Sequence, residues 1–290
     1  MTVLSAYIEA IGVRGPGLAD WPATAGVLRG TTPYDSVPTE LPPPGQLPSA
    51  ERRRAVPVVR IAFAAAEEAM RMRQDKPGHA GEDQTQGEHQ HDGPLPTVFA
   101  SSGGDGLNYH QICETLASDD KKISPTRFHN SVHNAPSGYW SIATRDMATS
   151  NVLCAHDASF GAGLLDALAQ ITCNGGHVML VAYESDYPEP LHSVRPLAAS
   201  FGVAFVLAAA HSPHALARLD VVVAEADADA VPDTLADPAL ELLRRGVPSA
   251  RSLPLLAALA MLAAGDTDAP LERVIEYQPD STLRVTVSPC

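Results

Sequence analysis

The chain has 290 residues, 45% hydrophobic and 19% charged, with a formal net charge of −14. That balance is ordinary for a globular protein of one large domain or two small ones. Its negative sign speaks against nucleic acid as a partner, because phosphate backbones need clustered Lys and Arg. The one dense basic cluster, Arg52-Arg53-Arg54, reads as a surface or subunit-contact feature.

Residues 3–13 (VLSAYIEAIGV) alternate as a strand does, and Gly15-Pro16-Gly17 stops them. Residues 18–48, rich in Pro, Gly and Thr, predict an irregular covering loop. From Ser49, a plausible N-cap, to Met72 the spacing predicts one helix, with Val58, Ile61, Ala62, Ala65 and Ala69 on one face and Pro57 near the first turn. Residues 74–94 form a polar low-complexity insert that cannot bury apolar surface. His89 and His91 within it read as solvated side chains rather than metal ligands, and no metal or cofactor is expected anywhere in the chain.

Residues 96–101 predict a short buried strand, 103–106 a glycine turn, 107–117 a helix and 124–138 a polar loop. A helix carrying Tyr139, Trp140 and Ile142 follows, then a strand over 150–156, a helix over 160–171 and a strand over 177–183. Strands are expected at 201–209 and 219–226 and helices at 238–246 and 252–264. A hairpin over 273–287 is expected to turn through Pro279-Asp280-Ser281-Thr282. Strands alternating with helices imply an α/β layered fold. The four cysteines lack CxxC spacing, and reduced thiols in a cytoplasmic protein are the expectation. The N-terminus lacks the basic head and apolar run of a signal peptide. No apolar run reaches about 18 residues, so no membrane span is expected; the best candidate, 253–264, contains Pro254.

The informative stretch is 129–187. Strand 150–156 runs into Asp157-Ala158-Ser159, and a helix begins at once. Such an elbow sets a side chain at a helix N-terminus, where backbone N–H groups favour developing negative charge. Gly161 and Gly163 allow close packing of that helix or of a ligand. Ser159 could be a hydrolase nucleophile, but Asp157 replaces the first glycine of G-x-S-x-G. Cys154 sits within the expected strand and reads as a buried structural thiol. Cys154, His156 and Asp157 make a weak metal set without a fourth ligand.

This stretch resembles the N-terminal half of β-ketoacyl synthases. The resemblance rests on Gly138-Tyr139-Trp140-Ser141-Ile142-Ala143, on the strand into the elbow, and on Gly175-Gly176-His177-Val178-Met179-Leu180. Tyr7-Ile8-Glu9, Pro16-Gly17-Leu18, Glu51-Arg52-Arg53-Arg54, residues 99–106 and residues 128–135 resemble ketosynthase-like domains of bacterial aryl polyene and related pigment clusters. The resemblance implies a thiolase-like layered fold (α-β-α-β-α). Residues 1–195 would form its first half and 196–290 a shortened second half.

It also places Asp157 where the family has its catalytic Cys. No H-G-T-x-T motif is present to supply the family's histidines, and the Gly-rich C-terminal loop is missing. An aspartate cannot form a useful thioester, and without positioned His donors malonyl decarboxylation loses its oxyanion stabilisation. The resemblance therefore implies a catalytically inactive chain length factor. Such a subunit pairs with an active ketosynthase, meets the acyl carrier protein through that complex, and shapes the acyl tunnel in polyene or fatty-acid-like (polyketide) biosynthesis. Tyr139, Trp140, Asp157, Ser159, Phe160 and His133 are the tunnel or interface candidates, with core packing the competing reading for the aromatics. A Ser159-dependent acyl hydrolase or transferase and a non-enzymatic scaffold are the alternatives.

Overall fold

The structure is a computed structural model and describes residues 2–75, 94–197, 199–225 and 231–290. Most of the polar insert (76–93), with His89 and His91, lies outside the described residues. The chain opens with β1 (Leu4–Arg14), α1 (Trp21–Leu28), α2 (Ser49–Arg54) and α3 (Pro57–Gln74). Next come β2 (Thr97–Ala100), α4 (Gly106–Ala117), α5 (Pro125–Asn130), α6 (Ala135–Thr144) and β3 (Ser150–Leu153). A 3-10 turn (His156–Ala158) leads into α7 (Ser159–Asn174), β4 (His177–Glu184) and the short α8 (Leu191–Val194). The remainder is β5 (Phe201–Ala208), β6 (Ala217–Glu225), α9 (Pro238–Gly246), a second 3-10 turn (Pro248–Ser252), α10 (Leu253–Ala263), β7 (Leu271–Gln278) and β8 (Ser281–Ser288).

The eight strands form one sheet in the order β3-β2-β4-β5-β1-β6-β8-β7. β3, β2 and β4 run parallel, and every other neighbouring pair is antiparallel. The strands expected at 96–101, 150–156 and 177–183 are therefore neighbours. β4 and β5 are almost continuously apolar because both their faces are covered. β6 alternates, because only one of its faces meets the core. On one side of the sheet, α3 and α6 bury Phe63, Ala65, Ala69, Tyr139 and Trp140 against Phe99, Met179 and Val181. On the other, α7, α9 and α10 pack against Ile11, Val98, Leu180 and Phe205.

The α/β class read from the sequence holds. The two sheets of the layered expectation are joined here into one through the β1/β6 ladder. α7 is nonetheless held between layers, and its two glycines are the reason it fits. A Cβ on Gly163 would stand 2.7 Å from Ala100 Cβ and 2.9 Å from Leu180 Cδ1, on β2 and β4. A Cβ on Gly161 would stand 2.9 Å from Tyr277 Cδ2 and 3.2 Å from Leu283 Cδ1, on β7 and β8. Gly161 and Gly163 thus serve helix packing, the first of the two roles read from the sequence.

Four local expectations are corrected. Residues 18–48 are not wholly irregular: they contain α1, capped by the Asp20 side chain, which accepts from Ala23 N at 2.8 Å, with Pro22 in the first turn. The single helix over 49–72 is two, and Ser49 begins α2 rather than capping it. Pro57 forces Val56 into extended backbone (φ −78°, ψ 164°) and starts a new helix. The polar loop at 124–138 contains α5, opened by Ser124-Pro125. The strand over 150–156 ends at Leu153, so Cys154 lies beyond it and is exposed, not a buried structural thiol.

Candidate functional site

The carboxyl ends of the parallel strands β3, β2 and β4 gather the polar groups of interest, as open α/β sheets generally do. β3 ends at Leu153, and the chain turns sharply through His156, whose φ of 52° lies in the left-handed region. Sequence reasoning placed the elbow at Asp157; the backbone strain falls one residue earlier. α7 then starts without a side-chain N-cap.

Asp157 is held by two arginines. Arg195 Nη2 donates to its Oδ1 at 2.8 Å, and Arg251 Nη2 lies 3.4 Å from its Oδ2. Arg251 Nη1 also donates to the Asp157 carbonyl at 2.9 Å. Arg195 Nη1 reaches His156 Nε2 at 2.7 Å, which fixes that nitrogen as the acceptor and leaves the proton on Nδ1, 3.4 Å from Asp157 Oδ1. Partial burial works to raise the Asp157 carboxyl, but the Arg195 hydrogen bond and the charges of Arg251 and Arg195 outweigh it and hold it below its ordinary value.

The pairing continues outward. Arg251 Nε lies 2.8 Å from Glu276 Oε2 without aligning as a hydrogen bond, and Arg244 joins Glu276 to Glu241. An open cleft of about 700 Å³ lies between the elbow and the β7–β8 turn, lined by Asp157, Arg251, Glu276, Tyr277 and Thr282 among others. Arg195 and Arg251 were missed from sequence because they stand 38 and 94 residues from Asp157.

The other predicted residues fall into place as follows. Ser159 is 1% exposed; its Oγ donates to the His156 carbonyl at 2.7 Å and accepts from Ala155 N at 3.0 Å. That hydroxyl braces the elbow, and among the described residues no side-chain base is hydrogen-bonded to it. Tyr139 is buried, donating to Asn130 Oδ1 at 3.0 Å, and Trp140 packs edge-on to Phe63. Phe160 is buried on the opposite side of the sheet against Phe205. All three aromatics are core residues, and the structure does not bring them together. His133 lies beside the site, its Nε2 donating to the Ser101 carbonyl at 3.3 Å.

Among the described residues no histidine other than His156 contacts Asp157. His177 begins β4, so it stands at the far end of the strand, where it contacts Glu9. His211 packs edge-on to Tyr7. Among the described residues no group of three or more His, Cys, Asp and Glu could hold a metal ion.

The comparisons with known proteins fit this picture. The family model described as the β-ketoacyl synthase N-terminal domain matches residues 84–255, more than half of the chain. The chain belongs to the β-ketoacyl synthase family. Among solved structures, it is similar to a chain in the complex of the ketosynthase ApeO with its chain length factor ApeC from Xenorhabdus doucetiae. That match has 22% identity and a TM-score of 0.68, covering 98% of this chain and 99% of that one. The ishigamide ketosynthase/chain length factor gives 12% identity and a TM-score of 0.71 over 98% and 99% of the two chains. The AntDE:AntF complex, a type II PKS acyl-carrier protein with its ketosynthase bound to the hexaketide, gives 11% and 0.72 over 100% of both. No curated protein matches the sequence. These likenesses fix the fold as that of the ketosynthases.

As a β-ketoacyl synthase family member, the chain carries at its elbow a carboxylate neutralised by two guanidinium groups. That arrangement binds parts of the protein to each other: the elbow, the segment after α8, the second 3-10 turn and β7. It offers no thiolate for thioester formation. Cys154, the nearest thiol in sequence, donates instead to the Ser102 carbonyl at 3.3 Å.

Proposed function

We propose that this chain is a non-catalytic, chain-length-factor-type subunit that pairs with an active ketosynthase in the cytoplasm and meets an acyl carrier protein through that complex. The observation that carries the reading is Asp157: the elbow holds a carboxylate locked by Arg195 and Arg251, and among the described residues no pair of histidines faces it. A condensing enzyme needs a low-pKa thiolate and positioned donors at that point.

The surface beside the elbow supports a protein partner. β3 is the last strand of the sheet, and among the described residues its outer edge has no neighbouring strand. An unpaired edge is a ready template for another chain. Leu107, Leu116, Phe128, Val132, Ile142 and Met147, all exposed large apolar residues, lie on or beside α4, α5 and α6, the segments between β2 and β3. Apolar groups concentrated in this way mark interaction surfaces. Tunnel shaping by the chain is part of the same proposal. The burial of Tyr139, Trp140 and Phe160 favours packing as their role, so a tunnel wall on this subunit would come from the exposed α4–α6 residues instead.

The test is coexpression with a ketosynthase encoded beside this chain, followed by light scattering and intact-mass spectrometry after incubation with malonyl-carrier protein. The expected result is a one-to-one complex, with no acyl adduct on this chain and no decarboxylation by it alone. A monomer indifferent to ketosynthase, or a stable adduct on Cys154, would overturn the proposal.

A further inference from the structure

Glu184, the last residue of β4, is 2% exposed and lies under the turn that follows β2. Its Oε1 accepts from Ser102 N at 2.6 Å, and its Oε2 accepts from Ser102 Oγ at 3.0 Å and Ser101 Oγ at 3.4 Å. The same turn carries two further contacts through its carbonyls. Ser102 O takes the Cys154 thiol at the end of β3, and Ser101 O takes His133 Nε2 from the segment between α5 and α6. Ser101 N also extends the ladder to Leu153 O at 3.1 Å. One carboxylate thus fixes a turn to which both the free edge strand and the apolar α5–α6 surface are tied.

We propose that Glu184 is the positioning residue of the partner-facing edge, its carboxylate holding the Ser101–Ser102 turn from which Cys154 and His133 hang. The proposal rests on the reading that this edge meets a ketosynthase.

The geometry makes the protonation state matter. Ser102 N–H and Oγ–H converge on the two carboxylate oxygens, while Ser101 Oγ, 3.4 Å from Oε2, gives its proton chiefly to the Gly103 carbonyl at 2.6 Å. The hydroxyls can rotate, but the Ser102 N–H cannot. Protonation turns an acceptor into a donor facing donors and loosens the turn. Burial raises the Glu184 carboxyl to about 7, against the Ser102 and Ser101 hydrogen bonds and the Arg195 charge that favour the anion. The other groups around it are Tyr183 on β4, Tyr187 after it, Tyr109 on α4 and Cys154. Burial pushes each of those three phenols up, so they stay neutral through this range. His133 lies one residue further out, on Ser101.

If only the anionic form presents the edge correctly, the apparent Kd scales inversely with its fraction, giving roughly tenfold weaker assembly at pH 6 than at pH 8. The experiment measures the Kd for the coexpressed ketosynthase from pH 6 to pH 8. In parallel, it follows the rate of Cys154 alkylation in the chain alone, with the other three cysteines changed to serine. Wild type should show the tenfold change in Kd, and an alkylation rate whose departure from simple thiol ionisation has a midpoint near 7. Glu184→Gln should bind with a flat profile over this range and lose that departure. Ser102→Ala, which removes one neutral donor and keeps the Ser102 N–H, should move the midpoint upward. Identical profiles for wild type and Glu184→Gln, both folded by circular dichroism, would overturn the proposal. Absence of ketosynthase binding at every pH would instead sink the partner reading, while the alkylation profile still decides the role of Glu184.

Discussion

Two buried glutamates stand at opposite ends of this sheet and shift in opposite directions. Glu184, at the carboxyl end of β4, is raised to about 7. Glu9, in β1 beside the amino end of β4, is lowered to about 2. Both side chains are less than a twentieth exposed, but Glu184 lies deeper, so depth and partners together set the outcome. Glu184 is met by two hydroxyls and one backbone N–H, all neutral. Glu9 is met by His177 Nε2 at 3.2 Å and Ser212 Oγ at 2.6 Å, with Arg73 Nε 4.0 Å away. Its shift is driven first by the His177 hydrogen bond, which overcomes burial. Donors that carry charge repay the desolvation of a carboxylate, and neutral donors do so only in part. One end of the sheet therefore holds its carboxylate well below the ordinary range, and the other is poised to change charge near neutrality.

The strongest way to break this comparison is Glu9→Ala. Removing the carboxylate leaves the buried Arg73 without its partner, and a loss of about 3 kcal/mol is expected in urea unfolding. A loss below about 1 kcal/mol would mean that the Glu9 contacts are decorative.

The pH profile is the next test, and the two ends have opposite signs. Glu9 has a folded value below its ordinary 4.5, so its contribution is fully present above pH 4.5 and is lost as pH falls toward 2. Glu184 has a folded value above 4.5, so the folded state binds the extra proton. Stability then falls as pH rises from 4.5 through 7, by up to about 3 kcal/mol. Glu68, raised to the same value by burial, adds a decline of similar size, and Glu184→Gln should remove about half or less of the total. What remains belongs to Glu68, which accepts from Val13 N and Trp21 N, and to Glu67 and Asp105, which burial also raises. An unchanged slope in Glu184→Gln would show that the acid is ionised in the folded state well below neutrality.

Smaller effects sharpen the picture at the elbow end. Gly163→Ala puts a methyl group 2.7 Å from Ala100 Cβ and should cost about 1–3 kcal/mol in thermal or urea unfolding. Asp157→Ala should cost about 1 kcal/mol or less. Its side chain is 44% exposed, and solvent screens its pairing with Arg195. A larger loss would make Asp157 a structural keystone; loss of elongation by an intact complex would give it an active role.

Much of the fold was legible because its signals are local. The continuous apolar runs of β4 and β5, the alternation of the β7–β8 hairpin and the small residues at the start of α7 each survive without their neighbours. Less was read where a local cue was outweighed by composition. Asp20-Trp21-Pro22 is a helix start hidden in a Pro- and Gly-rich stretch, and Ser124-Pro125 is another in a polar one. Pro57 was accepted within a first turn, whereas its constraint on Val56 breaks the helix outright.

The candidate site divides in the same way. The sequence by itself determined that a strand-to-helix elbow with Asp157 and no cysteine would form, and that the chain would resemble a ketosynthase. The residue order there specifies both the turn and the carboxylate it carries. Only the tertiary structure decided what Asp157 does, because Arg195 and Arg251 reach it through the packing of α8 and the second 3-10 turn against α7. It alone also set the Glu9 and Glu184 shifts, which depend on burial and on partners from other strands. Charge–charge and desolvation energies depend on distance in space, and a sequence records distance only along the chain.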